Sequence, residues 1–281
     1  MLALARGLSP ADLLAIAELE SRTVPVDGGR LKLEWRVLQG RAGGEVEDIL
    51  WWDGDRLLGF LGIYAFAWPT AELAGMVDPT ARRRGIATAL LDAALPLCRD
   101  RRYEQALLVT PRPSSAGRGF ALSRGAVLEH SEHALVLLDA PAEGPVDPGV
   151  TVRTATQADA SVVSTLVSVA FGGPPTDMRE LTATDLSSTL VVERSGSTVG
   201  TLRVTREHDS VAGVYGFVID PAWRGRGIGR DVLRRVCQQL RDEGVDRIGL
   251  EVAVDNEHAM GLYTSLGFTP VTTEDYYALP L

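Results

Sequence analysis

The stretch that decides the fold is IDPAWRGRGIGRDVLRR, Ile219–Arg235, because it recurs as VDPTARRRGIATALLDA, Val77–Ala93. In both, Asp-Pro is followed by arginines, then Gly-Ile, a small residue and a run of helix formers. Gly85 and Gly227 stand 142 positions apart, and so do Gly125 in LSRGA and Gly267 in TSLGF. One constant offset at two separate places means that little was inserted or lost between them, so the chain reads as an internal duplication. Between the copies lies DAPAEGPVDPG, Asp139–Gly149, with three prolines and no apolar periodicity, which reads as a linker. Two domains are therefore expected, at residues 1–140 and 150–281.

Composition agrees with two ordinary globular domains: 281 residues, 45% apolar and 23% charged. The net charge of −9 argues against nucleic acid as a partner, since that needs a basic footprint. The two cysteines, Cys98 and Cys237, are isolated, and no metal-ligand spacing appears. Acidic and polar residues between Ser9 and Glu20 do not fit a signal peptide, and the longest apolar stretch, near Leu57–Trp68, is too short to span a bilayer. No membrane partner and a cytoplasmic location are expected.

In the second copy GVTVRTAT reads as a strand and QADASVVSTLVSVAFG as a helix ending near Gly172. Three Val-rich strands joined by short turns follow, from Ser188 to Asp220. Their connections are too short for crossovers, so they must be antiparallel. A helix from about Gly227 to Glu243, a strand in DRIGLEVAVD, a short helix closed by Gly267 and a last strand complete the pattern. The first copy repeats it, with an opening strand that is weak or missing. The class is mixed α/β.

Physically, Val218–Arg230 is a strand end, a stop at Asp220-Pro221, then Arg224-Gly225-Arg226-Gly227-Ile228-Gly229 running into a helix. The first helical turn offers unpaired N–H groups and the positive end of the dipole. The glycines let the backbone approach a ligand, and the arginines add charge, so the loop can cradle a pyrophosphate. A dinucleotide fingerprint would need Gly where Arg230 stands, and no Gly-Lys-Ser/Thr loop exists. Taken alone, a Gly-rich turn with solvated arginines remains the alternative.

The downstream segment LEVAVDNEHAMGLYTSLGF, Leu250–Phe268, brings in a family resemblance. The chain resembles the GNAT superfamily of acetyl-CoA-dependent N-acyltransferases. That family's Arg/Gln-x-x-Gly-x-Gly/Ala loop matches Arg224, Gly227 and Gly229, and in the first copy Arg82, Gly85 and Ala87. Its later segment matches Asn256, Ala259, Leu262, Tyr263, Gly267 and Phe268. In layout the chain is similar to the mycothiol synthases, which also carry two such domains. The resemblance implies acetyl-CoA as co-substrate, no metal, and an amine acceptor that is a small molecule or a peptide. It implies a pantetheine arm added like a strand beside Phe217, Val218 and Ile219, with Met76 and Val77 at the matching place in the first copy. It implies a pyrophosphate held by Arg224, Gly225, Arg226, Gly227, Ile228, Gly229 and Arg230. Asn256 belongs to the same cofactor set.

The resemblance implies Tyr263 as the acid that protonates the leaving thiolate; the alternative is an apolar-face residue of a short helix. Glu251, twelve positions earlier, has the spacing of the base in ribosomal-protein alanine N-acetyltransferases; a solvated strand carboxylate is the alternative. Mycothiol synthases place a carboxylate on the strand before the loop, where Gly213 stands here. Glu207, His208 and Asp209 are further base candidates, and residues 171–186 are expected to meet the acceptor. The 142-residue offset sets Ala121 against Tyr263, Val109 against Glu251 and Ser114 against Asn256. The first copy is thus expected to be non-catalytic. It either still binds acyl-CoA or keeps Arg82, Arg83 and Arg84 as surface charges. A non-catalytic acyl-CoA-binding regulator is the rival to an enzyme.

Overall fold

The computed structural model describes residues 1–171, 183–208 and 210–281; for residues 67, 183–185, 207 and 208 only the backbone is described. The chain divides into two compact units, Met1–His133 with Thr272–Leu281, and Ala134–Val271.

The first unit opens with β1 (Leu2–Ala5) and α1 (Pro10–Asp27). Ser9 and Asp12 form a reciprocal cap at the start of α1, and Gly28 ends it at φ 73. After α2 (Trp35–Gln39) come β2 (Asp48–Asp53), β3 (Arg56–Ala67) and β4 (Thr70–Val77), an antiparallel meander. Then follow α3 (Ile86–Asp100), β5 (Gln105–Pro111), α4 (Ser115–Ser123) and β6 (Val127–Leu137). Helices cover both sheet faces. Leu61 and Ile63 point to a core that contains Leu90, Leu91 and Ala94 of α3. The alternate residues Phe60 and Tyr64 point to a core that contains Ile16 and Leu19 of α1.

The second unit contains β7 (Val150–Thr154), α5 (Ala160–Phe171), α6 (Ala183–Ser188), β8 (Thr189–Arg194), β9 (Ser197–His208), β10 (Val211–Ile219), α7 (Ile228–Asp242), β11 (Arg247–Ala253) and α8 (Glu257–Ser265). The last strand is β12 (Thr269–Pro280). Helix α7 buries Val232, Leu233, Val236, Cys237 and Leu240, one face at helical spacing, against Val214, Ile248 and Leu250 of the sheet.

The offset of 142 holds residue for residue in the elements around the motif. It carries α3 onto α7, β5 onto β11 and α4 onto α8 with identical bounds. The opening strand expected to be weak or missing is short but present: β1 pairs antiparallel with β2, Leu2 opposite Trp51. It is short and alternates exposed with half-buried residues, so it leaves no clear apolar signal.

The two units finish their sheets with strands exchanged in sequence. In the first, the order is β1-β2-β3-β4-β5-β12, with Tyr276 of the chain's last strand opposite Val109. In the second, the order is β11-β10-β9-β8-β7, with the end of β6, residues 134–137, beside β11. Among the described residues no helix is long and apolar enough to cross a membrane.

Candidate functional site: a splayed strand pair and a helix N-terminus

Strand β10 pairs in parallel with β11 only from Val211 to Gly213, opposite Arg247 to Gly249. Beyond Gly213 the two strands part, leaving an edge of main-chain groups that β11 does not pair. On the other side β10 stays with β9 but slips: Tyr215 faces Arg203 and Val218 faces Thr201, so Gly216 and Phe217 together face Leu202. That is a β-bulge, and Gly216 supplies its left-handed residue at φ 57. The bulge bends the strand where Phe217, Val218 and Ile219 were expected to offer their main chain.

A 3₁₀ turn, Pro221–Trp223, follows, and the Asp220 carboxylate accepts from the Ala222 N–H at 2.8 Å. The loop is then fixed by its own arginines. Arg224 Nε donates to the Ile219 carbonyl at 2.8 Å and Arg226 Nη2 to the Ala222 carbonyl at 3.1 Å. Gly225 and Gly227 sit at φ 73 and 80, and a Cβ on either would meet no atom within 4 Å. The loop is therefore concave and open. Gly227 is the N-cap of α7 with no side chain over the first amides, so those N–H groups and the helix dipole face the opening. Arg230 Nε donates to Ser265 Oγ at 2.9 Å and ties α7 to α8. Side chains of Ile219, Phe217 and Leu262 converge around Gly229, within 3.3 to 3.6 Å of where its Cβ would stand. Strand end, cradle and α8 thus meet at one place.

Tyr263 projects from α8, which Asn256 caps by accepting from the Ala259 N–H at 3.1 Å. The Tyr263 ring lies edge-on to Phe268, 6.1 Å between centroids. It is 9% exposed, and among the described residues its hydroxyl has no hydrogen-bond partner. Burial pushes its pKa up to about 12. Glu251 is half-buried between the buried Leu250 and Val252 of β11. Asp209 and residues 172–182 lie outside the described residues, as do the side chains of Glu207 and His208. One feature escaped the sequence reading: the guanidinium groups of Arg194 and Arg226 both lie over the Trp223 ring, 5.7 and 4.9 Å from its centroid. Its only sequence signal was an aromatic beside the cradle.

The first unit reproduces the loop. Arg82 Nε donates to the Val77 carbonyl at 3.2 Å, Arg84 Nη2 to the Thr80 carbonyl at 3.2 Å, and Gly85 caps α3 at φ 80. Arg83 stands where the second unit has Gly225 and holds φ 65, a left-handed conformation that costs an L residue about 1–2 kcal/mol. Arg83→Gly is therefore expected to raise stability by up to about 1 kcal/mol, part of the relief being offset by the freer unfolded chain. A denaturation midpoint lowered by the substitution would contradict this.

The first unit also differs. Its β4 runs straight past Gly75 and Met76 with no bulge there, and it pairs with β5 as far as Ala74. A cleft of about 570 Å³ opens beside it, lined by Gly75, Val77, Arg82, Gly85, Ala87 and Ala121 among others. At its mouth Arg82 is held by Asp27 through two bonds of 2.9 Å. Arg22 and Arg56 grip Asp78, whose hydrogen bonds, led by those to Thr80, outweigh burial and hold its carboxyl below the usual range. Ser114 caps α4 as Asn256 caps α8. Nearby, the chain's single lysine, Lys32, donates to the Tyr276 hydroxyl at 2.5 Å and lies 3.4 Å from Glu72 and 3.8 Å from Glu132. His130 stacks on Tyr276 at 4.2 Å.

Residues 15–125 and 163–268 both match the acetyltransferase (GNAT) family. A mycothiol acetyltransferase of Thermobispora bispora is 30% identical, with 96% of each chain covered. A GCN5-related N-acetyltransferase from Sphaerobacter thermophilus shares the fold at a TM-score of 0.83 and 22% identity, covering 99% of this chain and 95% of its own. A tandem GNAT protein from the clavulanic acid biosynthesis pathway does so at 0.68 and 20%, covering 100% and 98%.

Proposed function

The chain belongs to the acetyltransferase (GNAT) family, an acetyl-CoA-dependent N-acetyltransferase with tandem domains, and on that premise we propose that its second unit transfers acetyl to the primary amine of a small molecule. The observation that carries this assignment is the contrast at one offset: Tyr263 and Glu251 in the second unit stand against Ala121 and Val109 in the first. The open concavity at Gly225 and Gly227, with three arginines about it, fits the pyrophosphate of acetyl-CoA, and the bulged, unpaired edge of β10 fits its pantetheine amides. Bound there, acetyl-CoA supplies a thioester carbon for direct attack by the amine. A nitrogen–carbon bond forms and the carbon–sulfur bond breaks, so no enzyme nucleophile is needed.

Three proton transfers carry an ammonium acceptor to the amide. Glu251 takes the first, leaving the neutral amine that attacks. Tyr263 gives the second from its hydroxyl to the departing sulfur, and the proton that the acylated nitrogen then sheds restores that hydroxyl. An ammonium near pKa 10.4 is well under about 0.1% neutral at pH 7, so the base matters most for a lysine-like acceptor. Glu251→Gln is expected to lower kcat/KM by about a hundredfold or more and to flatten the acidic limb of its pH profile. An unchanged profile with an unchanged rate would remove Glu251 from the role.

The 30%-identical mycothiol acetyltransferase supports a small-molecule amine, and a mycothiol-type acceptor is the specific case to test. Against that case stands Gly213. A Cβ there would lie 2.5 to 2.7 Å from the Tyr215 ring, so the place for a strand carboxylate is filled. A peptide α-amine is the second reading, favoured by the Glu251-to-Tyr263 spacing. Thiol release from acetyl-CoA, measured with aminosugar conjugates, polyamines and peptides in turn, separates them. Release with none of these, by a protein that binds acetyl-CoA, would favour a regulator.

A further inference from the structure

We infer that the cleft of the first unit takes an acyl-CoA whose acyl chain is longer than acetyl and holds it without turnover. This rests on reading the Arg82–Gly85 cradle as an acyl-CoA site, and it names the ligand class.

The reason lies in the walls. In the second unit, positions 217 and 263 carry the aromatic rings of Phe217 and Tyr263. In the first, the same positions are Gly75 and Ala121, and both line the cleft. The missing ring at position 75 is enforced by the backbone. With no bulge in β4, a Cβ on Gly75 would stand 2.7 Å from the Phe60 carbonyl oxygen. The cleft wall includes the apolar side chains Leu31, Phe60, Leu73 and Leu108 together with polar ones such as Thr110 and Ser114. The cleft as a whole, cradle included, measures about 570 Å³, within the range of small-molecule sites, about 300–1,000 Å³. Where two rings are missing from its wall an acetyl group leaves room, and each further methylene buried there is worth about fourfold in affinity.

Turnover is opposed by what the cleft lacks: Ala121 and Val109 offer neither acid nor base.

The test uses full-length protein carrying Gly227→Asp, which silences the second cradle, with CoA, acetyl-CoA and hexanoyl-CoA as calorimetric probes. Hexanoyl-CoA is expected to bind at least about tenfold more tightly than acetyl-CoA and to release no thiol when amines are added. Ala121→Leu should erase the preference while leaving CoA affinity within about twofold, CoA serving as the folding control. Equal affinities for the two thioesters, with Ala121→Leu silent, overturn the chain-length inference alone. Thiol release overturns the holding role. Adding Gly85→Asp should abolish binding of all three probes. If it does not, or if none binds to begin with, the cradle reading itself falls.

Discussion

Tyr263→Phe is expected to lower kcat by about a hundred- to ten-thousand-fold while leaving acetyl-CoA affinity nearly unchanged, because it deletes one proton donor and no binding surface. On ordinary values, a phenol near 10 faces a thiol near 8.5. Burial moves the phenol to about 12, which alone makes it a weaker acid. The raised value also fixes the pH behaviour: the hydroxyl keeps its proton until pH approaches about 12, so loss of this acid should produce no alkaline decline below about pH 11. Steady-state kinetics on the true acceptor decide the matter, and near-wild-type kcat in the Phe variant would show that the sulfur finds its proton elsewhere.

Gly227→Asp is expected to abolish acetyl-CoA binding in the second unit, a loss of at least about a hundredfold in affinity. Position 227 holds φ 80, and Asp is among the L residues that tolerate that region best, so the fold should survive. Its Cβ would enter the open side of the cradle, and its carboxylate would face the first amides of α7. A fixed anion there competes for the same N–H groups and repels a pyrophosphate. Gly227→Ala, which brings the Cβ without the charge, separates the two effects and should lose less. Calorimetry that finds the affinity of this site intact in the Asp variant would dismiss the cradle.

Much of this was legible because the duplication carries no insertion from residue 79 to 123. Once Gly85 and Gly227 were aligned, α3 and α7, β5 and β11, α4 and α8 fell together. The Gly-Arg loop was legible as a tight turn into a helix: Gly225 and Gly227 take the left-handed conformations it needs, and Arg224 and Arg226 brace it by donating back to the carbonyls of Ile219 and Ala222. Strand β1 was not, because an edge strand held by main-chain bonds leaves little pattern in its side chains. Gly213 and Gly216 were both visible as glycines inside a strand, but only packing tells them apart. Gly216 turns the bulge, and Gly213 makes room for the Tyr215 ring. The positive φ of Arg83 was hidden because a residue unsuited to a conformation does not announce it. The strand exchange was hidden as well. Alternation of apolar residues fixes which face of β6 or β12 is buried, but not which neighbour each strand joins.

That exchange bears on the history of the chain. If the sequence ended at the linker, β5 would lose β12, and if it began there, β11 would lose the end of β6. Either truncation would bare a long run of unpaired N–H and C=O groups, a template for aggregation. Removing either copy therefore carries a cost in solubility that does not depend on what either cleft binds.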